Sequence, residues 1–128
     1  SDSSTVAINP FIYQKLSYEP FRDLPPISLT ARAPLFLAAH PSVPANTLQE
    51  FVGLAKAKPG SLSYGSSGIG STHHLCMESF KSALGVDVVH IPYKGTGQSV
   101  PALIGGQVAV LFSAYPSLAG YVKQGQLK

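Results

Sequence analysis

The densest group of potential ligand donors in this chain lies in one short glycine-rich stretch. Residues 64–75 read YGSSGIGSTHHL: an apolar run, a loop with three glycines, and Ser71-Thr72 at the start of a predicted helix. Glycines let the backbone approach a ligand closely and turn its N–H groups inward, and Ser and Thr add hydroxyl donors. A helix N-terminus behind such a loop favours negative charge. The stretch therefore predicts a binding site for an anion.

A nucleotide-binding or acyl-group-binding enzyme is one alternative interpretation of this loop. The segment Gly65-x-x-x-x-Gly70-Ser71-Thr72 differs by one residue from the phosphate-binding pattern G-x-x-x-x-G-K-[ST], because Ser71 stands in place of the lysine. Without that lysine the loop lacks the cation that reaches a terminal phosphate. The order G-S-S-G-I also fails to match the G-x-S-x-G turn of serine hydrolases. A turn needed only for tight packing is a second alternative.

Histidine, cysteine and acidic residues offer little material for catalysis or for metal binding. His73 and His74 are adjacent, whereas a zinc-binding helix places two histidines four residues apart. Cys76 falls on an apolar helix face, where a thiol is usually inert. Only 6 acidic residues are present, so general acid–base catalysis has few candidates. The sequence predicts no enzyme, no metal and no cofactor, and it predicts that His74 supports the loop through a hydrogen bond.

Composition indicates a single folded domain. The chain has 128 residues, of which 45% are hydrophobic and 12% are charged, and this favours a packed core over disorder. The net charge of +3 is spread without a run of Lys or Arg, which argues against nucleic acid as a partner and allows only a mild preference for anionic small molecules. The single cysteine excludes an internal disulfide.

From residue 34 onward, short apolar runs alternate with helical patterns. The predicted order is β-α-β-α-β-α-β-α, with strands at 35–39, 62–64, 86–91 and 108–112. Thr47 and Glu50 form a capping-box pattern, Pro101 places the start of the third helix near Gln98, and Pro116 is expected to open the fourth. Inner helix faces are expected at Cys76, Phe80, Ala83 and Leu84, and at Leu118, Tyr121 and Val122. The order indicates the α/β class, a mainly parallel sheet with helices on both faces.

The N-terminal third follows a different pattern. Pro10, Pro20, Pro25 and Pro26 alternate with aromatic residues and leave no clean periodicity. Such a segment is typical of an irregular arm rather than a packed layer. The expected division is an arm at 1–33 and an α/β ligand-binding lobe at 34–128. In such a lobe, ligands bind beyond the carboxyl ends of the strands.

Four stretches resemble the periplasmic solute receptors of tripartite tricarboxylate transporters, often called the Bug family. In order, they are AINPFIYQKLSYEPFRDLPPISL (7–29), TLQEFVGLAKAKPGSLSYGSSGIGSTHHL (47–75), GVDVVHIPYKGTGQSVPALIGGQV (85–108) and PSLAGYVKQGQLK (116–128). The resemblance implies a periplasmic binding protein with a type II-like fold, in which two α/β lobes close over a small carboxylate. It further implies that this chain is the second lobe, with the missing first lobe and a membrane permease as partners.

The resemblance also implies which residues bind the ligand. In this chain the second-lobe contacts fall on Ser66, Ser67, Gly68, Gly70, Ser71 and Thr72, and the loop of Tyr93, Lys94 and Gly95 closes the cleft beside them. Backbone N–H groups and hydroxyls, including that of Ser66, are expected to hold one carboxylate without chemistry. Ser113-Ala114 stand where the family often has Asp-Asn, so the identity of the ligand stays open. A self-associating interaction module is the remaining alternative, because a lone lobe exposes its interlobe surface.

Overall fold

A four-stranded sheet forms the centre of the fold in a computed structural model, which describes residues 4–128. The strands are β1 (Leu35–Ala39), β2 (Ser63–Ser66), β3 (Val89–Pro92) and β4 (Val110–Ala114), arranged in the order β1-β4-β2-β3. Strand β2 pairs in parallel with both β3 and β4, whereas β1 pairs antiparallel with β4. The predicted mainly parallel sheet is confirmed, and β1 is its antiparallel edge.

Helices connect the strands as predicted. Residues 4–128 contain α1 (Asn9–Ile12), α2 (Pro20–Asp23), α3 (Leu48–Ala57), α4 (Thr72–Leu84), α5 (Thr96–Ile104) and α6 (Tyr115–Lys123), with a π-helical turn at Ser4–Ile8. The alternation of strand and helix from β1 to α6 is therefore confirmed. Between residues 4 and 33 the chain forms the turn and two four-residue helices. The first three residues of the predicted arm lie outside the described part of the chain.

None of the helices within residues 4–128 combines the length and the apolar character that crossing a membrane requires.

Two hydrophobic clusters cover the two faces of the sheet. On one face, Val110 of β4 belongs to the same cluster as Phe51 of α3 and Met77 of α4. On the other face, Leu111 of β4 packs in the same cluster as residues of α5 and α6, Leu103 and Leu118 among them. Because neighbouring residues of a strand point to opposite faces, β4 supplies both cores. The expected helices on both faces are thus confirmed.

Helix α4 begins and ends where the sequence predicts. Ser71 caps its start, since its Oγ accepts a hydrogen bond from the backbone N–H of His74 at 3.2 Å. Gly85 ends it in the left-handed conformation at φ 60°. The inner face differs from the prediction: Met77 is fully buried, whereas Ala83 is exposed. Phe80 and Leu84 pack against the same core as predicted, so the inner face keeps its direction but includes Met77 and leaves Ala83 outside.

The inner face of α6 is narrower than predicted. Leu118 is buried, but Tyr121 and Val122 remain 38% and 43% exposed. The helix also begins one residue earlier, at Tyr115, so that Pro116 is its second residue. Both positions leave the missing proline N–H harmless, because the first turn has no intrahelical acceptor for it.

Helix α5 begins two residues before the predicted start near Gln98. Gly95, at φ 128°, precedes it, and Pro101 lies inside the helix as its sixth residue. The prediction placed Pro101 in the first turn because an interior proline removes a hydrogen bond to the carbonyl four residues back. Here that carbonyl belongs to Gly97, which is exposed and can be hydrated.

The capping box of α3 forms with one change. Thr47 Oγ1 accepts from the backbone N–H of Glu50 at 3.2 Å, as predicted. The Glu50 carboxylate accepts from the N–H of Asn46, at 2.6 Å, rather than from that of Thr47. The reciprocal bond therefore fastens the residue before the cap.

Three strands are displaced from their predicted positions. Strand β2 extends to Ser66, β3 begins at Val89 rather than at residue 86, and β4 continues to Ala114. Apolar runs mark burial rather than backbone pairing: Val86 and Val88 lie in the core although they precede β3. Gly65 and Ser66 are paired residues of β2, so the loop between β2 and α4 is shorter than the sequence predicts.

Replacing Met77 by alanine should lower the free energy of unfolding by about 2–5 kcal/mol, because it leaves a cavity between α4 and the sheet. Urea denaturation measures the loss. Leu75→Ala on the same helix is the matched control, since Leu75 is 37% exposed and its truncation should cost much less. Equal losses for the two variants would contradict the assigned inner face.

Candidate ligand-binding site

The glycine-rich loop joins the carboxyl end of β2 to the start of α4. Gly68 and Gly70 have φ values of 128° and 77°, which favour glycine. A Cβ on Gly70 would lie only 2.7 Å from Cδ1 of Ile12, so the arm packs directly on the loop backbone. The first turn of α4 contains no acidic residue. The partial positive charge of the helix start is therefore not neutralised by its own side chains.

Several of the loop amides are hydrogen-bonded inside the loop. The Gly68 N–H donates to Ser66 Oγ at 3.1 Å, and the Ser71 N–H donates to the Gly68 carbonyl at 3.2 Å. The Gly70 N–H donates to His74 Nδ1 at 3.2 Å, which confirms the predicted support of the loop by His74. These three amides hold the shape of the loop and are not free for a ligand in this arrangement.

The Ser66 hydroxyl is also used internally, in contrast to its predicted role as a ligand donor. Ser66 is 1% exposed, and its Oγ lies 2.7 Å from His90 Nε2. Because Ser66 is a paired residue of β2 and not part of a free loop, its side chain points beneath the turn. Its place in the structure is that of a support for Gly68.

Two other backbone donors remain at the mouth of the loop. The N–H groups of Ile69 and Thr72 have no acceptor among residues 4–128, and the Ile69 residue is 67% exposed. Beside them lies an open cavity of about 270 Å³, lined by Ser4, Thr5, Asn9, Ser67, Ile69, Gly70, Ser71, Thr72 and His73. Among residues 4–128, this lining combines hydroxyls, an amide and an imidazole, with no carboxylate and no Lys or Arg.

The structure brings four of the predicted site residues to this cavity: Ser67, Gly70, Ser71 and Thr72. Ser67 Oγ lies 2.7 Å from His73 Nδ1, and Thr72 Oγ1 lies 3.0 Å from Ser4 Oγ. Both hydroxyls therefore have protein partners and can still accept or donate one further bond.

The loop of Tyr93, Lys94 and Gly95 lies next to the glycine-rich loop but does not line its cavity. The Tyr93 N–H donates to the Ser66 carbonyl at 3.1 Å, which ties the ends of β2 and β3 together. The Lys94 residue is exposed, and its N–H donates to Gln98 Oε1. Gly95 serves as the residue before α5. The expected closing role of this loop stays a prediction.

The arm supplies cavity residues that the sequence did not indicate. Ser4, Thr5 and Asn9 line the cavity opposite the loop, and the Tyr18 hydroxyl links Thr5 and Asn9 through bonds of 2.8 Å and 3.2 Å. Their separation from Thr72 by more than sixty positions leaves no local pattern to read. The one feature of the sequence that could have indicated a shared site is that these residues carry hydroxyl and amide groups, as the loop residues do.

Beneath the loop, three rings form a stack. The His90 ring lies 4.7 Å from the Tyr64 ring and 4.3 Å from the His74 ring, with interplanar angles of 15° and 26°. Burial, with the nearby charges of His74 and Lys81, lowers the pKa of His90 against the opposing effect of Glu78. His90 was predicted only as a strand-end residue.

The base of the stack is anchored to α4. The Tyr64 hydroxyl donates to Glu78 Oε1 at 2.6 Å, and Lys81 Nζ lies 2.9 Å from the same oxygen. Burial and the bond to Glu78 raise the pKa of the Tyr64 phenol. Tyr64 therefore remains a neutral donor, and the stack joins β2 and β3 to the helix that carries the loop.

Two further features bear on possible chemistry, the thiol of Cys76 and the placement of metal-ligating side chains. Burial raises the pKa of the Cys76 thiol and disfavours the reactive thiolate. Among residues 4–128, no three His, Cys, Asp or Glu side chains are grouped so as to hold a metal ion. A larger cavity, of about 490 Å³, lies within the arm, but aromatic side chains and Glu19 line it. A carboxylate there disfavours an anionic ligand.

Comparison with known proteins gives the same family along the whole chain. The family model described as "Tripartite tricarboxylate transporter family receptor" matches residues 1–128. A UPF0065 protein of Bordetella pertussis is 40% identical over 123 residues, which cover 94% of this chain and 37% of that protein.

Solved structures agree with the sequence comparison. "Structure of a periplasmic transporter" matches with a TM-score of 0.95 and 39% identity, covering 100% of this chain and 43% of the other. Rpa4515 of R. palustris with adipate matches with a TM-score of 0.93 and 30% identity, covering 98% of this chain and 42% of the other. MatC of Rhodopseudomonas palustris with bound malate matches with a TM-score of 0.81 and 25% identity, covering 98% of this chain and 41% of the other. The chain thus spans less than half the length of these similar proteins.

The lowered pKa of His90 predicts a pH-dependent stability. Because the folded protein binds a proton at His90 less readily than the unfolded chain does, the free energy of unfolding should fall as the pH falls below about 6.5. Urea denaturation across this range measures it. His90→Gln should flatten the dependence, whereas the control His40→Gln, which changes an imidazole bonded to Ser42 away from the loop, should not. Identical slopes for the wild type and His90→Gln would refute the assignment.

Proposed function

The chain belongs to the tripartite tricarboxylate transporter receptor family, and on that premise we propose that it is a solute-binding lobe that captures a small carboxylate in the periplasm. The proposed binding surface is the cavity at the start of α4. Capture involves hydrogen bonds and no covalent chemistry, in keeping with a family of solute-binding receptors rather than enzymes.

The observation that carries this proposal is that the N–H groups of Ile69 and Thr72, at the N-terminus of α4, have no acceptor within residues 4–128. Backbone N–H groups are obligatory hydrogen-bond donors, so donors beside a polar cavity that have no acceptor in the described part of the chain favour an incoming acceptor. The helix start adds partial positive charge, and no carboxylate opposes it among the lining residues that the structure describes. Hydroxyls of Ser67 and Thr72 are placed to add further hydrogen bonds.

A carboxylate suits this donor set better than a phosphate does. The cavity has no Lys or Arg among its described lining residues, and Lys94 lies outside it. Neutral donors can hold a single delocalised charge, whereas a terminal phosphate usually requires a cation. The similar proteins solved with adipate and with malate support the same ligand class. Each charge-assisted hydrogen bond would contribute about 1.5–3 kcal/mol.

We assign the predicted site residues two proposed roles. Ser67, Gly70, Ser71 and Thr72 form the contacting wall, with Ser4, Thr5 and Asn9 of the arm facing them. Ser66, Gly68 and Tyr93 hold that wall in shape, and Lys94 and Gly95 flank the cleft. A second lobe would complete the site, and closure of the two lobes would present the receptor to a membrane permease.

The exposed side chains of the arm support a surface that is covered in a complete receptor. Phe11, Phe21 and Ile27 are 88%, 74% and 99% exposed. Apolar side chains at this density usually pack against another surface. The proposed occupant is the remainder of a two-lobed receptor, of which this chain spans less than half the length. Self-association through the same surface is the competing interpretation, and light scattering distinguishes the two.

The chain alone should bind dicarboxylates weakly, because one lobe offers only part of the contacts. Isothermal titration calorimetry with a panel that includes adipate and malate should give dissociation constants well above about 1 μM. Binding at micromolar affinity or tighter would show that the lobe is a complete site. Binding of a nucleotide in preference to every carboxylate would reverse the proposed ligand class.

Replacing Ser67 and Thr72 together by alanine should weaken carboxylate binding at least about tenfold, since the two hydrogen bonds that their hydroxyls offer exceed the roughly 1.4 kcal/mol that a factor of ten requires. Chemical-shift titration with adipate measures the change at high ligand concentration. Ser61→Ala is the matched control, because the Ser61 hydroxyl donates to the Lys58 carbonyl away from the cavity. An affinity unchanged by the double substitution would remove the loop from the site.

A further inference from the structure

We propose that the stacked imidazoles of His74 and His90 are positioning residues, which set the geometry of the loop amides, and that His74 does so only while its ring is neutral. This inference rests on the proposed function, in which the loop binds a carboxylate. Neither ring is assigned a contact with the ligand. Their effect would pass through Gly70 and Gly68.

His74 acts on the loop through a bond that one protonation state alone permits. Its Nδ1 accepts the Gly70 N–H at 3.2 Å, so Nδ1 must carry a lone pair and, in the neutral ring, the proton must be on Nε2. Protonation would place a hydrogen on Nδ1, facing the amide hydrogen of Gly70. The two donors would repel, and the Gly70 amide would lose its acceptor.

His90 reaches the other glycine through one intermediate side chain. Its Nε2 lies 2.7 Å from Ser66 Oγ, and the same oxygen accepts the Gly68 N–H at 3.1 Å. The two imidazoles, 4.3 Å apart, thus fix two glycine amides on either side of Ile69. The Ile69 N–H, which has no acceptor from Ser4 to Lys128, lies between two fixed points, which gives it a defined direction.

The surroundings of the stack oppose a second positive charge. On α4, Lys81 and Glu78 face the stack, and on β2 the Tyr64 ring covers the far side of His90. Glu78 is already bound to the Tyr64 hydroxyl and to Lys81, so its negative charge offsets little of a positive charge on the imidazole rings. His73 lies on the loop side and is bonded to Ser67. Two protonated rings at 4.3 Å would repel each other as well.

Acidification should therefore weaken ligand binding through the shape of the loop. A proton on His74 releases Gly70, and the amide array loses one of its two fixed points. A purely structural pair would lower stability when it is altered but would not make ligand affinity depend on the protonation of His74. The pH dependence of affinity separates these two roles.

The variant His74→Asn tests this on the whole 128-residue chain. The Asn Oδ1 can take the place of Nδ1 as an acceptor for Gly70, but it does not titrate. Adipate titrations followed by amide chemical shifts would be run at about pH 7.5 and about pH 5.5. His74→Phe keeps a stacked ring without the acceptor, and His40→Asn is the control.

Wild-type chain and His40→Asn should lose affinity for adipate by at least about threefold more between these pH values than His74→Asn does. Protonation of adipate itself affects all variants alike and cancels in this comparison. His74→Phe should bind about tenfold more weakly at the higher pH, as expected for the loss of one ordering hydrogen bond. Affinities of His74→Phe within about twofold of the wild type at both pH values would overturn the proposal.

A ligand-free measurement keeps the inference separate from the proposed function. In the wild type, the amide shifts of Gly68 and Gly70 should change with pH, and in His74→Asn that dependence should vanish at Gly70. If these shifts behave as expected but adipate does not bind, the proposed ligand is wrong and the positioning role stands. If adipate binds but the glycine amides ignore the imidazoles, the positioning role is wrong. Should His74→Asn fail to fold, the wild-type titration and His90→Gln decide the same question.

Discussion

The constraint on which this structure depends is the need to satisfy the backbone amides of a sharp turn from a strand into a helix. The turn from β2 to α4 has no regular partner for its N–H groups. Ser66, His74 and the Gly68 carbonyl accept three of them from inside the protein. The donors of Ile69 and Thr72 are left at the surface. The candidate site therefore consists of the donors that have no acceptor in the described part of the chain, and its shape depends on the groups that bind the other three amides.

The two hydrophobic cores give this turn a rigid base. Helices α3 and α4 cover one face of the sheet and α5 and α6 cover the other, so the ends of β2, β3 and β4 cannot shift independently. Tyr64 links the core to the loop, because its ring lies in the core while its hydroxyl binds Glu78 of α4. The stack of Tyr64, His90 and His74 continues this link to the glycines. Packing and polar positioning are thus parts of one connected arrangement.

Much of the fold and only part of the site could be predicted from the sequence. The helix over Thr72–Leu84 was predicted to the residue because Ser71 and Gly85 mark its ends with local chemistry. The strand ends were predicted less accurately, because Val86 and Val88 are apolar and buried but are not paired strand residues. The contribution of Ser4, Thr5 and Asn9, and the stack at His90, depend on contacts between distant segments. No local pattern encodes such contacts. For the same reason, the sequence predicts a ligand-binding hydroxyl at Ser66, whereas the structure buries this side chain against His90.

The most direct test of the central claim is a crystal structure of the chain with adipate. The account predicts one carboxylate within about 2.7–3.2 Å of the backbone nitrogens of Ile69 and Thr72, at the start of α4. Gly68 and Gly70 should keep their bonds to Ser66 and His74 in the complex. A carboxylate bound in the aromatic cavity of the arm, with the loop amides still open, would contradict it.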